Sequence, residues 1–114
     1  MKIKRIEDVA SRDMGPELPG VKMQVLIGPD DGAENFVLRR FTLEPGASTP
    51  HHEHDWEHEV VVTDGEGVLV TTDGERPLKP GDVIYLAPGD LHQFRNVGTG
   101  PYRMICLVPM KGHS

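Results

Sequence analysis

The chain has 114 residues, enough for one domain, and its 37% hydrophobic and 26% charged content is ordinary for a globular protein. A formal net charge of −6, with no cluster of Lys or Arg against it, argues against nucleic acid as a partner. The single cysteine, Cys106, excludes an internal disulfide, and the charged first residues lack the apolar stretch of a signal peptide. No apolar run approaches the ~20 residues that cross a bilayer. We therefore expect a cytoplasmic protein without a membrane partner.

In chain order, the sequence predicts a series of short strands. Residues 1–20 show weak periodicity and form an N-terminal arm that ends in a turn-rich stretch. The predicted strands that follow cover residues 21–28, 36–43, 58–64, 68–72, 82–87, 92–97 and 102–109. The Asp73-Gly74 pair is a strong hairpin signal. Strands spaced about ten residues apart, with 13 glycines and 10 prolines between and around them, predict an all-β sandwich or barrel that covers residues 1–114.

Four of the six histidines lie close together before and at the start of a predicted strand, at His51, His52, His54 and His58. In an extended chain, residues two apart share a face, so His52, His54 and His58 lie on one side and the intervening carboxylates on the other. The segment also fits the H-x-x-E-H pattern of helical zinc proteases. The β-branched residues and glycines that follow favour a strand instead. A solvated, histidine-rich edge strand remains the alternative to a binding site.

A fifth histidine, His92, opens the predicted strand after the turn at residues 88–90. By alternation, Phe94 and Asn96 share its face. Taken alone, a histidine in this position is more often structural than a ligand. It gains significance only if it meets the first cluster.

Two linked patterns join these histidines. Residues 46–65 read Gly46-x5-His52-x-His54-x3-His58-x6-Gly65, and residues 81–96 read Gly81-x5-Ala87-x-Gly89-x2-His92-x3-Asn96. The first resembles the first cupin motif and the second resembles the second cupin motif, with every spacing kept. The chain is similar to small single-domain cupins, which implies a double-stranded β-helix, or jelly-roll barrel. Ala87 replaces the usual proline, and His58 stands where the motif usually has glutamate.

The resemblance implies a metal site at the mouth of the barrel. Its ligands would be His52, His54, His58 and His92, on one divalent ion. Similar four-histidine cupins carry manganese, whereas iron, nickel, copper and zinc remain alternatives because imidazole binds them all. Glu59 fits a longer spacing that the motif allows, so a site with three histidines and Glu59 stays open, although parity favours His58. Four neutral ligands leave the charge of the ion uncompensated, so the site should attract anions.

The alternation of side chains along the predicted strands also indicates which residues would surround the metal. Arg39 shares a face with Phe41 and other apolar side chains, which makes it a candidate to point inward and bind a substrate carboxylate. An arginine that reaches to the surface is an equally valid interpretation. Phe94 and Met104 are expected to line the lumen or to be plain core.

Three further residue types complete the set of candidates. Trp56 lies between ligands and is a candidate wall of the pocket. Cys106 is expected to be a small buried residue, with a role beside the metal as the alternative. His51 and His113 are expected to be solvated.

Three functions from different classes fit these features. The first is a metal-dependent oxidoreductase, of dioxygenase or oxidative-cleavage type, that acts on a small and possibly anionic molecule. The second is a non-catalytic module that binds a metal or small ligand, because fold does not fix function. A Lewis-acid isomerase or epimerase is less favoured, since no carboxylate shares the ligands' face to act as general base. We also expect a homodimer, because the arm has little core of its own and can add to a neighbour's sheet edge.

Overall fold

The computed structural model describes residues 1–113, and within them the protein is built from strands and short turns. The strands are β1 Arg12–Asp13, β2 Val21–Ile27, β3 Phe36–Leu43, β4 His58–Asp64, β5 Gly67–Thr71, β6 Gly74–Leu78, β7 Val83–Leu86, β8 Gln93–Asn96 and β9 Tyr102–Pro109. Single 3₁₀ turns occupy Ile6–Asp8, Pro29–Asp31 and Met110–Gly112. None of these helical segments of residues 1–113 is long and apolar enough to span a membrane.

The strands form two antiparallel sheets. The larger sheet has the order β1-β2-β3-β9-β4-β7, and the smaller has the order β6-β5-β8. Isolated bridges between Ser48 and Arg95 and between His52 and His92 extend the pairing beside β8. The predicted all-β jelly-roll barrel is therefore confirmed. The longer predicted strands coincide with the observed ones to within one residue at each end.

Two observed strands were not among those predicted. β1 has only two residues, and β6 has four exposed positions and one buried residue, Leu78. The alternation of apolar and polar residues that predicts a half-buried strand is therefore absent from β6. Its Pro77 is tolerated because β6 is the edge of the smaller sheet. The predicted hairpin is present, but its two loop residues are Thr72 and Asp73 instead of Asp73 and Gly74, because Thr71 pairs with Gly74, the first residue of β6.

The core lies between the inner faces of the two sheets. It consists mainly of aliphatic and aromatic residues from both sheets, among them Val21, Val37, Leu43, Val60, Val62, Leu69, Phe94, Tyr102, Met104 and Val108. In β9, alternate residues from Tyr102 to Val108 are buried, as the period of two requires. We call the end of the barrel where β3, β4 and β8 finish and β9 begins the closed end.

The closed end is tightly packed and fully hydrogen-bonded around Asn96, which is 1% exposed. Its side-chain amide donates to the carbonyls of Leu43 and Gly100, at 2.9 Å each, and its oxygen accepts from the Gly98 amide at 2.8 Å. Gly65, the last residue of the first motif, has a φ of +83°, and a Cβ there would lie against the carbonyl of Pro101. Only glycine fits that position.

The N-terminal arm packs against its own barrel. β1 pairs with β2 of the same chain. Further back, the buried Gln24 side chain donates to the carbonyls of Ile6 at 2.9 Å and Val9 at 3.0 Å. The strand pairing expected between the arm and a neighbouring subunit is thus made within the chain. The homodimer itself stays a prediction.

Candidate metal centre

Four histidine rings meet at the end of the barrel opposite Asn96, which we call the open end. His58 begins β4, His92 directly precedes β8, and His52 and His54 lie in the connection from β3 to β4. Two backbone hydrogen bonds, of 3.1 and 3.0 Å, tie His52 to His92. Ligand nitrogens of His52, His54 and His92 all lie within 4.8 Å of one another. These three residues form a candidate metal site.

His58 lies beside this group and contacts it through His54. Its Nε2 is 2.9 Å from the Nε2 of His54, and its Nδ1 is 3.2 Å from the Sγ of Cys106. The ring centroids of His58 and His92 are 5.4 Å apart. The structure therefore brings three of the four predicted ligands into one group, and the predicted four-histidine site is supported only to that extent.

The geometry of the rings suits a divalent transition ion. Two nitrogens bound at right angles to one ion, with bonds of about 2.1 Å, lie about 3.0 Å apart. The Nε2 atoms of His54 and His58 match this distance at 2.9 Å. The two rings are stacked, however, with planes inclined by 28°, and His58 Nε2 also lies 3.4 Å from His54 Nδ1. The Nδ1 of His92 lies 2.8 Å from the carbonyl of Asp90, to which it can donate, and this leaves Nε2 free to bind a metal.

The rings are held in the neutral form that a metal requires. Burial lowers the pKa of His52 and of His54, and repulsion from His92 lowers both further. Burial also lowers the pKa of His58 to about 3, with repulsion from His54, His92 and Arg39 adding to the effect. These three imidazoles therefore present lone pairs, not charges, at neutral pH.

A cavity of about 190 Å³ lies beneath the rings. Among the described residues that line it, Arg39 is the one with a formal charge, and neither Asp nor Glu is present. The Arg39 guanidinium carbon lies 5.1 Å from the centre of the Phe41 ring, and its Nη2 lies 3.6 Å from Cys106 Sγ. Its Nε is buried without a partner. Arg39 thus points inward, as one of the two interpretations of the sequence expected.

The predicted aromatic and sulfur-bearing residues also reach this cavity. Phe41, Trp56, Phe94, Met104 and Cys106 all line it. The Trp56 indole stacks on the His54 ring, with centroids 4.2 Å apart and planes inclined by 7°. The stack fixes the plane of one candidate ligand.

Glu59, the alternative fourth ligand, and the two remaining histidines lie outside the metal site. Glu59 is exposed on the outer face of β4, where it pairs with Tyr85 and Leu107, so it does not face the metal site. His51 is exposed, as expected. His113 is less solvated than expected: the residue is half-buried, and its Nδ1 is buried without a partner.

Sequence reasoning missed the contribution of both chain termini to the cavity. Met14 and Leu18 of the arm line it, and so does Gly112 of the last 3₁₀ turn. A Cβ on Gly112 would lie 2.6 Å from the Trp56 Nε1, so the turn packs closely on the indole edge. The only signal in the sequence was the apolar character of Met14 and Leu18, which Ile3, Ile6 and Val9 of the same arm share.

Comparison with known proteins identifies the family. The sequence profile of the Cupin_2 family, described as the cupin domain, matches residues 39–108. The chain belongs to the cupin family. This cupin is 31% identical over 73 residues to an oxalate-binding protein of Thermotoga maritima, covering 63% of this chain and 60% of that protein. It is also 31% identical over 87 residues to a gentisate 1,2-dioxygenase of Ralstonia sp., covering 70% of this chain and 24% of that one.

Among solved structures, the cupin superposes well on the polyketide cyclase RemF from Streptomyces resistomycificus. The TM-score is 0.90 and the identity 33%, over 96% of this chain and 80% of the cyclase. The cupin spans less than two thirds of the two relatives named above, the binding protein and the dioxygenase. The names of these three relatives describe three different roles: ligand binding, ring cleavage by a dioxygenase and polyketide cyclisation.

Proposed function

We propose that this cupin binds one divalent ion through His52, His54, His58 and His92 and uses it to act on a small anionic molecule. Neutral imidazoles gather at the mouth of a cavity whose described lining carries one charged side chain, Arg39, and this arrangement supports the proposal. Imidazole ligands suit several ions, so the preference for manganese comes from resemblance, and manganese is the first metal to test.

The ion and the residues that line the cavity would have different roles in binding and orienting a substrate. A bound ion would supply Lewis-acid polarisation of a substrate oxygen and, if redox-active, electron transfer. Arg39 would donate from its guanidinium group to a carboxylate or enolate. Phe41 and Phe94 would pack on an unsaturated carbon skeleton and keep water away from it. Because histidine binds a metal as the neutral imidazole, four such ligands would leave the charge of the ion to be compensated by an anionic ligand.

Oxidative cleavage of the dioxygenase type is the first candidate reaction. The described lining residues include no carboxylate for general-base catalysis, which a proton-transfer enzyme would need. A redox reaction at the ion makes no such demand on the protein. The similarity to a gentisate 1,2-dioxygenase over 70% of this chain supports the same class.

A non-oxidative reaction is the second candidate, and one observation favours it. The likeness to the polyketide cyclase covers 96% of this chain and most of the cyclase. In that case, a bound ion would supply Lewis-acid polarisation, and Arg39 would donate hydrogen bonds to an anionic oxygen of the substrate, with no oxygen consumed. Binding without catalysis is the remaining outcome, and the similarity to an oxalate-binding protein points to oxalate as its probe.

Metal substitution separates these outcomes. Metal-free protein is loaded with Mn²⁺, Fe²⁺ or Zn²⁺ and offered dihydroxybenzoates, β-diketones and oxalate while oxygen uptake and product are followed. We expect oxygen uptake with manganese or iron and none with zinc, which has no redox chemistry. Product formation without oxygen uptake in all three forms would indicate the non-oxidative reaction. Ligand binding without any product would indicate a binding module, and failure to bind any of these metals would refute the proposal.

We further propose that the cupin is a cytoplasmic homodimer. The outer face of the larger sheet carries exposed apolar side chains, including Phe36, Val83 and Tyr85, on which a second copy can pack. Light scattering coupled to size-exclusion chromatography measures the mass directly. A monomer at micromolar concentration would refute the dimer.

A further inference from the structure

We infer that Cys106 is a positioning residue for the metal, because its sulfur accepts the hydrogen bond that holds His58 ready to bind the ion. This role depends on the proposed metal site and adds to it a residue that would act on the ion through His58. Cys106 lies mid-way along β9, paired with Arg39 of β3 on one side and Val60 of β4 on the other. It is 3% exposed, and its sulfur lies 3.2 Å from the Nδ1 of His58.

The hydrogen bond selects one tautomer of His58. A neutral imidazole carries a single N–H, on either Nδ1 or Nε2. With the proton on Nδ1, the ring donates to Cys106 and Nε2 presents a lone pair towards His54. With the proton on Nε2, the nitrogen that faces the other histidines has no lone pair to offer. Metal binding therefore requires the first tautomer, and Cys106 is the acceptor that stabilises it.

Arg39 helps to hold the sulfur in this position. Its guanidinium group can only donate, so it cannot replace Cys106 as acceptor for His58. Its Nη2 lies 3.6 Å from the same sulfur. The sulfur thus lies between two donors, which oppose rotation of the Cys106 side chain away from His58.

The proposed role of Cys106 is specific to a chain that has histidine at position 58, where the cupin motif usually has glutamate. A glutamate at this position would bind the ion directly through a carboxylate oxygen and would have no second nitrogen to orient. Cys106 should therefore matter to metal affinity only while residue 58 is histidine. His58→Glu provides a background in which the effect of Cys106 should vanish.

The test is a double-mutant cycle on metal affinity. Dissociation constants for Mn²⁺ and Zn²⁺ are measured by competition with a fluorescent chelator for the wild type, C106A, C106S, H58E and H58E/C106A. We expect C106A to weaken binding about tenfold, the lower end for loss of a hydrogen-bond partner behind a metal ligand. C106S should retain most of the affinity, because a hydroxyl also accepts. In the H58E background, C106A should have no effect.

Two controls separate positioning from packing. Val108→Ala shortens the next inward side chain of β9, so it should lower stability and leave metal affinity unchanged. In zinc-loaded protein, ¹⁵N NMR of the His58 ring should show the Nδ1–H tautomer in the wild type and a shift of its signal in C106A. Equal loss of affinity from C106A in both backgrounds, or none in the wild type, would overturn the role of Cys106. A wild type that binds no metal would instead refute the metal site itself.

Discussion

The two ends of the barrel treat the polar side chains at their centres in opposite ways. At the closed end, the Asn96 side chain is hydrogen-bonded at both its nitrogen and its oxygen. The nitrogen donates to the carbonyls of Leu43 and Gly100, and the oxygen accepts from the Gly98 amide. At the open end, Arg39 Nε and Trp56 Nε1 are buried without a partner, and both residues line the cavity. Near the closed end, Arg103 Nε is also buried without a partner, but Arg103 does not line the cavity. Buried polar groups are normally paired, because an unpaired one loses its hydration without compensation. The difference indicates that one end stabilises the fold and the other is built to receive a ligand.

The largest expected effect comes from breaking the closed end. Asn96→Ala removes three hydrogen bonds and leaves their backbone partners buried, which should lower the free energy of unfolding by about 3 kcal/mol. Urea unfolding of the metal-free protein, followed by circular dichroism, measures it. The folded variant should bind Mn²⁺ as the wild type does. A loss of affinity as large as the loss of stability would show that the two ends are coupled.

Removing a ligand should have the reverse pattern. His92→Ala takes away a buried candidate ligand, so Mn²⁺ affinity should fall by at least about 100-fold, the upper end of the loss seen when only a partner behind a ligand is removed. The stability of the metal-free protein should change less than in Asn96→Ala. Isothermal titration calorimetry measures the affinity. The exposed His51→Ala is the matched control and should bind normally; equal losses in both variants would argue against the assigned site.

Acid should lower the stability of the metal-free protein through the protonation of His58 at the open end. Its pKa falls from an ordinary 6.5 to about 3 in the folded protein, so between these values the unfolded chain binds a proton that the native protein does not. Stability of the metal-free protein is therefore complete above about pH 6.5 and is lost as the pH falls towards 3, with about 2 kcal/mol gone at pH 5 from this residue. His58→Gln should reduce the pH dependence of the unfolding free energy by that amount. An unchanged pH dependence would show that His58 is not buried in neutral form.

The smallest expected effect concerns Trp56. Its stack on His54 holds one ligand ring in place, and a stacked aromatic pair contributes about 0.5–1.5 kcal/mol. Trp56→Ala should therefore weaken Mn²⁺ binding by about two- to tenfold, while Trp56→Phe keeps most of the affinity. Chelator competition resolves changes of this size. Equal affinities of the alanine and phenylalanine variants would argue against a role for the stack.

The strands and part of the site could be predicted because they depend on local pattern. Alternation with a period of two places His52 and His54 on one face, and the second motif brings His92 to them. β6 could not be predicted, since its single buried residue gives no alternation.

Other features depend on pairings between distant strands. The contact between His58 and Cys106 spans 48 residues and is set by the register of β4 on β9. The same register decides that Glu59 faces outward. The burial of His113 depends on how the last turn folds against Trp56, and no periodicity carries that information.

The stack between Trp56 and His54 also has a spectroscopic consequence. Trp56 is the only tryptophan of the chain, so the indole fluorescence of the whole protein arises from one ring, 4.2 Å from a candidate ligand and in contact with Gly112. A paramagnetic ion such as Mn²⁺ bound beside it should quench this emission, whereas Zn²⁺, with a filled d shell, should leave it largely intact. Movement of the C-terminal turn away from the indole would expose the ring to water and shift its emission to longer wavelength. The protein thus carries an unlabelled optical reporter of both events.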